Sequence, residues 1–357
     1  MKSLAIVCGS TNIGGAELQL VEVLRHLSTD FRIDLIVIGH NGPFEDYLST
    51  LGICYKKLKF TKVTGPIDFV RLTLRFKAMP PDIVIGWLYK GEIIGGIAAR
   101  LARINLVIGS SRNTMWPRAT RLKKIMLRLV RKYIIHTTVA NSKMAEDWHK
   151  QQGLASRNTF LIPNFIRSAY ENNFNSKTLS QNPITLGMAA RAVNGKGHDI
   201  LIEACSILRS KGWDVRLSLI GFGIPGWARI EELVKFHNIR EHVTLLPGES
   251  DLRLWYSTLT FYVMGSDSWE SDPNSLLEAV LSGVQVISSD YLKFTEFTPE
   301  ICTFTRGNAF SLASEIGRQL GRGESLLHQE LALRRQNLLK SRDSAEIKQK
   351  WLKALQV

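Results

Sequence analysis

Leu4-Ala5-Ile6-Val7-Cys8-Gly9, followed after Gly14-Gly15 by the helical period of Ala16 to Leu27, decides the architecture of this chain. The first five residues are apolar without alternation, as in a strand buried on both faces. Leu20, Val23, Leu24 and Leu27 then fall on one face of a helix. The same unit recurs outward from there. Ile33 to Ile38, Asp82 to Gly86, Leu106 to Gly109, Thr137 to Ala140 and Thr159 to Ile162 read as further strands. Residues 167–183 break the pattern, because Asn172, Asn173, Asn175, Ser176, Ser180 and Asn182 follow no period, and the segment reads as a linker. The alternation restarts with strands Ile184 to Ala189, Val215 to Ile220, Val243 to Leu246, Leu259 to Val263 and Val284 to Ser288. Helices over Asp199 to Lys211, Trp227 to His237 and Ser275 to Leu281 lie between them. Buried parallel strands alternating with helices predict an α/β chain of two doubly wound domains.

Composition narrows the class. Among 357 residues, 46 are basic and 32 acidic, giving a formal charge of +14. Apolar residues make up 45% and charged ones 22%, which excludes a disordered or collagen-like chain. Cys8, Cys54, Cys205 and Cys302 are far apart, so neither a zinc knuckle nor a disulfide framework is expected, and four reduced thiols in a cytosolic protein are. The apolar start ends at Gly9, too short for a signal peptide, and no run approaches a membrane span. The positive excess calls for an anionic partner.

Four segments carry chemistry. Gly14-Gly15-Ala16-Glu17 opens a helix after the first strand, either as an ordinary turn or as a place where glycines let the backbone approach a phosphate. Gly221-Phe222-Gly223-Ile224-Pro225-Gly226 matches a dinucleotide fingerprint in form only: it lies in the second domain and contains Pro225. It reads as a donor-site loop or a plain turn. Arg191 and Lys196 follow the strand Ile184 to Ala189, where two cations can clamp a diphosphate or stand as ordinary surface charges. Finally, Glu270-Ser271-Asp272-Pro273-Asn274-Ser275-Leu276-Leu277-Glu278 places one carboxylate on a loop leaving a strand and another in the first turn of the next helix, suited to a sugar hydroxyl and a ribose diol.

Glu270 to Ala279 resembles the Glu-Gly-Phe-Pro-Asn-x-Leu-Leu-Glu-Ala signature of the family 4 retaining glycosyltransferases of the GT-B fold. Ala189 to Ala204, Leu217 to Gly223, Ala140-Asn141-Ser142 and Ile162-Pro163-Asn164 resemble other segments of that family. The resemblance implies two Rossmann-like domains facing across a cleft. Residues 1–166 form the acceptor side and 184–340 bind the nucleotide sugar, with 341–357 a terminal helix that can cross back to the first domain. It also implies roles: Arg191 and Lys196 stabilise the leaving diphosphate, Glu270 holds the sugar and Glu278 the ribose. Gly14, Gly15, Gly221, Gly223, Asn274 and Ser275 shape the donor site, while Lys90 and Arg112 stand on the acceptor side. No metal and no cofactor is expected. The chain departs from the family at Ser271-Asp272, where Gly-Phe is usual, and in lacking a His near Tyr89-Lys90 or Ser111-Arg112-Asn113.

Arg118, Arg121, Lys123, Lys124, Arg128, Arg131 and Lys132 crowd one segment without an acid among them. Arg121, Lys124, Arg128, Arg131 and Lys132 fall on one arc of a helix, with Leu122, Ile125, Met126, Leu129, Val130 and Tyr133 on the other. A solvated surface helix and docking onto anionic lipid both fit; no nucleic-acid module is present. The combined expectation is a metal-independent retaining hexosyl- or N-acetylhexosaminyltransferase. It moves a sugar, UDP-linked, to a lipid-linked or growing glycan for a surface polysaccharide or lipopolysaccharide, as a peripheral protein at the cytoplasmic face of the cell membrane. A sugar-nucleotide epimerase of the same fold and a non-catalytic nucleotide-binding scaffold are the alternatives.

Overall fold

The protein is described by a computed structural model covering residues 1–356 except 10–12, 40–41, 62, 113–119, 172–182, 222–223, 249–250, 269 and 293–300. It divides into two compact units, residues 1–165 with 343–357, and residues 166–342. In the first, β1 (Lys2–Cys8), α1 (Gly15–Leu27), β2 (Phe31–Ile38), α2 (Pro43–Thr50), β3 (Lys56–Leu58), α3 (Gly65–Ala78) and β4 (Ile83–Trp87) lead to α4 (Leu88–Leu101) and β5 (Leu106–Ser111). The unit continues through α5 (Arg121–Tyr133), β6 (Thr137–Ala140), α6 (Lys143–Gln151) and β7 (Asn158–Leu161). The second unit runs through α7 (Ser168–Glu171), β8 (Ile184–Ala189), α8 (His198–Ser210), β9 (Val215–Gly221), α9 (Ile224–Phe236), β10 (Val243–Pro247) and α10 (Arg253–Tyr256). It ends with β11 (Phe261–Met264), α11 (Asn274–Leu281), β12 (Gln285–Ser289), β13 (Cys302–Phe304), α12 (Ala309–Leu320) and α13 (Glu324–Ser341). Last comes α14 (Ser344–Ala354), which returns to the first unit.

Both sheets are parallel. The first has the order β3-β2-β1-β4-β5-β6-β7 and the second β10-β9-β8-β11-β12-β13. Each chain path starts in the middle, winds to one edge and returns past its starting strand. The switch points therefore lie between β1 and β4 and between β8 and β11, and ligands of such sheets sit at the carboxyl ends of the strands there.

Apolar runs make this sheet because its strands are covered on both faces. Leu4, Ile6 and Cys8 point to one side of β1 and pack with α1 and with Ile347, Trp351 and Leu355 from the end of the chain. Ala5 and Val7 point to the other, under α3, α4 and α5. On that face α4 lies directly on the strands: a Cβ at Gly91 would stand 2.1 Å from the carbonyl oxygen of Val7. Some elements escape the hydrophobic pattern, β3 and α7 among them. β3 carries two lysines and sits at the sheet edge, and the segment read as a linker begins with α7, whose Tyr170 is buried in the second unit. The rest of that linker, 172–182, lies outside the described residues.

Candidate active site

The loops leaving β8 and β11 meet at the switch point of the second sheet. Gly197 makes this possible: its φ is +80°, and a Cβ there would lie 2.3 Å from the Gly265 carbonyl oxygen. The Asp267 amide donates to the Gly195 carbonyl at 3.1 Å, pinning the two loops together. Lys196 and Glu270, 74 residues apart in sequence, are thereby brought into an ion pair. Their side chains are 12% and 18% exposed, and the Ser266 hydroxyl lies 3.5 Å from the same carboxylate. Arg191, the other expected cation, stands exposed on the loop after β8 and makes no ion pair with a described residue. His198, the first residue of α8, is buried, and burial pushes its imidazole down to about 4, which leaves it neutral.

α11 carries the second carboxylate. Two tyrosines fix the start of this helix: Tyr262 donates to the Ser275 hydroxyl at 2.8 Å and Tyr256 to the Ser275 carbonyl at 2.9 Å. Asn274 is its first residue and half-buried. Glu278 is the fifth residue, just past the first turn in which the sequence placed it. It accepts a hydrogen bond from Arg167 Nη1 at 2.9 Å, and the Tyr256 hydroxyl, which donates to Ser275, lies 3.4 Å from its other oxygen. Burial pushes its carboxyl upward, and Arg167 pulls against that shift. Sequence reasoning missed Arg167 because it opens the Asn-rich stretch, whose lack of period hides a buried side chain.

The departure at Ser271-Asp272 has a local cause. Both residues are buried, and Asp272 receives two hydrogen bonds of 2.8 Å from Arg342. Gly221 ends β9, where a Cβ would stand 2.0 Å from the Ala190 carbonyl oxygen; its bareness lets β9 reach the loop that bears Arg191. Gly223 lies outside the described residues.

In the first unit, Gly14 caps α1 with extended backbone and accepts from the Leu18 amide at 3.0 Å, and Gly15 is the first helical residue. Lys90 is exposed on the first turn of α4, its ammonium group 3.3 Å from the Ile38 carbonyl. Arg112, expected on the acceptor side, is buried. It is 9% exposed, donates to Asn164 at 2.7 Å and to Ser110 at 3.1 Å, and stacks over Trp87. Its guanidinium is engaged in holding β5 to the segment after β7.

The basic helix also needs a correction. Arg131 is not at the surface: it is 1% exposed and forms a bidentate pair with Glu92 at 2.7 and 2.8 Å. It donates further to His149 Nδ1 at 2.6 Å, so the imidazole proton sits on Nε2, facing Tyr89 Oη at 3.2 Å. Burial, with the Arg131 charge, pushes His149 down to about 3. Arg128 is exposed but donates to the Gln152 and Gly153 carbonyls, capping α6. Arg121 and Lys124 are exposed as expected, and Arg118 lies outside the described residues.

The geometry finds its counterpart in known proteins. Residues 13–170 match the model of Glycosyltransferase Family 4, and residues 169–299, which hold Lys196, Glu270 and Glu278, match that of Glycosyl transferases group 1. The chain belongs to the family 4 glycosyltransferases of the GT-B fold. This glycosyltransferase is 24% identical over 314 residues to the putative glycosyltransferase EpsF of Bacillus subtilis, covering 81% of this chain and 79% of that one. Protein CapJ of Staphylococcus aureus is 24% identical over 213 residues, 56% of this chain and 53% of its own. Among solved structures, HepE of Anabaena, in complex with UDP and glucose, superposes with a TM-score of 0.87 at 17% identity, over 100% of both chains. In this glycosyltransferase no helix among the described residues is long and apolar enough to cross a membrane.

Proposed function

We propose that this glycosyltransferase moves a hexose or N-acetylhexosamine from a UDP-sugar to a lipid-linked or growing glycan, with retention at the anomeric carbon, in building a surface polysaccharide such as lipopolysaccharide. The observation that carries this reading is the Lys196–Glu270 pair at the carboxyl edge of the second sheet, with Glu278 on the helix that follows. That layout matches a nucleotide sugar: cations for the diphosphate, one carboxylate for the sugar hydroxyls and one for the ribose. The UDP and glucose in the HepE complex support the choice of donor.

In the reaction, the bond from the anomeric carbon to the diphosphate breaks, and its electron pair leaves on the β-phosphate oxygen. Lys196 and Arg191 neutralise that developing charge. The acceptor hydroxyl bonds to the carbon from the face the diphosphate leaves, and its proton passes to the departing phosphate oxygen. Two side-chain cations do the work a divalent ion does elsewhere, so no metal or other cofactor takes part. Gly14 and Gly15 leave the start of α1 bare enough for a phosphate to approach, and Lys90 meets the acceptor. The work is done at the anionic, cytoplasmic face of the cell membrane.

A mass-spectrometric screen of UDP-sugars against lipid-diphosphate-linked acceptors tests the reading. Transfer of one sugar with release of UDP is the expected result. Epimerised donor without transfer would replace it with the epimerase, and tight UDP binding without turnover with the scaffold.

A further inference from the structure

α3, α4 and α5 cover one face of the first sheet, with α3 and α5 both packed against α4. Each outer helix turns its wrong side to solvent. On α5 the core is met by Leu127, Val130 and Arg131, while Leu122, Ile125, Leu129 and Tyr133 are 66%, 44%, 49% and 61% exposed. These four recur at intervals of three and four residues, so they form one stripe. On α3, Leu72 and Phe76 face the core, and Ile67, Val70 and Leu74, spaced likewise, are more than half exposed. Cations flank both stripes: Arg71 and Lys77 on α3, and Arg121, Lys124 and Lys132 on α5, are all exposed. The two carboxylates on these three helices, Asp68 and Glu92, are buried.

We infer that α3 and α5 together form a two-stripe docking surface for an anionic lipid bilayer, with the apolar side chains entering the acyl boundary and the lysines and arginines meeting lipid phosphates. The inference rests on the reading of a membrane-bound acceptor and supplies the surface by which the protein reaches it. An exposed apolar stripe bordered by one sign of charge is what an in-plane interfacial helix requires. A solvated helix has no use for the stripe, and an ordinary protein partner does not explain why every exposed charge on these helices is positive.

Flotation of the full chain with vesicles tests this. Vesicles of phosphatidylglycerol and phosphatidylcholine should carry the protein at low salt and release it at high salt, whereas phosphatidylcholine alone should carry little. The triple variant Ile67→Gln, Val70→Gln, Leu74→Gln should lower partitioning at least about tenfold, and so should Leu122→Gln, Ile125→Gln, Leu129→Gln. Both should keep parental affinity for UDP. Parental vesicle binding by either triple variant would remove that helix from the surface and overturn the two-stripe inference. Equal binding to neutral vesicles would overturn the anionic partner, and a dimer that these variants dissolve would make the face a contact between two copies. Vesicle binding without UDP binding would leave the surface standing and reject the transferase reading; the reverse would reject the surface alone.

Discussion

Arg342 grips Asp272 through two parallel hydrogen bonds of 2.8 Å, with the two side chains 1% and 0% exposed. Arg342 is the last residue of the second unit, and Arg167, bonded to Glu278, is its second. The two places where the chain passes between units are thus each tied by an arginine to the segment that carries Glu270 and Glu278. The Asp in place of the family's Phe is the partner that one of these arginines requires.

Breaking that pair from one side strands a buried charge. Asp272→Asn and Arg342→Met should each cost about 3–5 kcal/mol in urea unfolding of the second unit. The double variant Asp272→Leu with Arg342→Met should recover most of the loss, because an apolar pair removes both charges together. Additive losses in the double variant would show that the two side chains are not coupled.

Arg167 works against the upward push that burial gives the Glu278 carboxyl. With Arg167→Gln the carboxyl rises further, so it takes up its proton at a higher pH than in the parent. If the ionised form holds the ribose, UDP affinity must fall as pH drops, and the fall must begin at higher pH in the variant. Calorimetric titrations across the acid-to-neutral range measure the displacement; superimposed profiles would reject the ribose role of Glu278.

Lys196→Ala and Arg191→Ala should each lower turnover roughly 10²–10³-fold without unfolding the chain. Transfer should persist in excess chelator, since the clamp is cationic. Loss of activity restored by magnesium or manganese would show that a divalent ion serves the diphosphate.

His149 supplies a pH signature for the first unit. Its folded value near 3 lies below the usual 6.5, so between those values the unfolded chain binds a proton that the folded one refuses. Stability is present in full above about pH 6.5 and is lost as pH falls toward 3, at about 1.4 kcal/mol per pH unit. His149→Gln should flatten that slope relative to the parent in unfolding midpoints taken from pH 7 to pH 4.

Much of the frame was readable where a strand is buried on both faces. Thr137–Ala140 and Ile184–Ala189 occur as the strands expected, since short runs of β-branched and apolar residues suit a buried strand. β3 was not readable, because an edge strand with Lys56 and Lys57 needs no such run. The Glu270–Glu278 segment was legible through its spacing, but its partners were not. Lys196 reaches Glu270 across 74 residues and Arg131 reaches Glu92 across 39, and no local period reports a contact of that kind. Arg131 also sits on the border between the polar and apolar arcs of α5, where a helical wheel cannot tell a buried cation from a solvated one.

The core of the first unit contains Trp351 and Ile347, contributed by α14 after the whole of the second unit has been traced. The second unit is contiguous and the first is not. During synthesis, the first unit therefore cannot complete its core until α14 emerges, whereas the second has all of its strands in hand before that. A nascent chain stopped before α14 would leave open the face of β1 and α1 that Ile347 and Trp351 cover, which makes α14 the piece that closes the first unit.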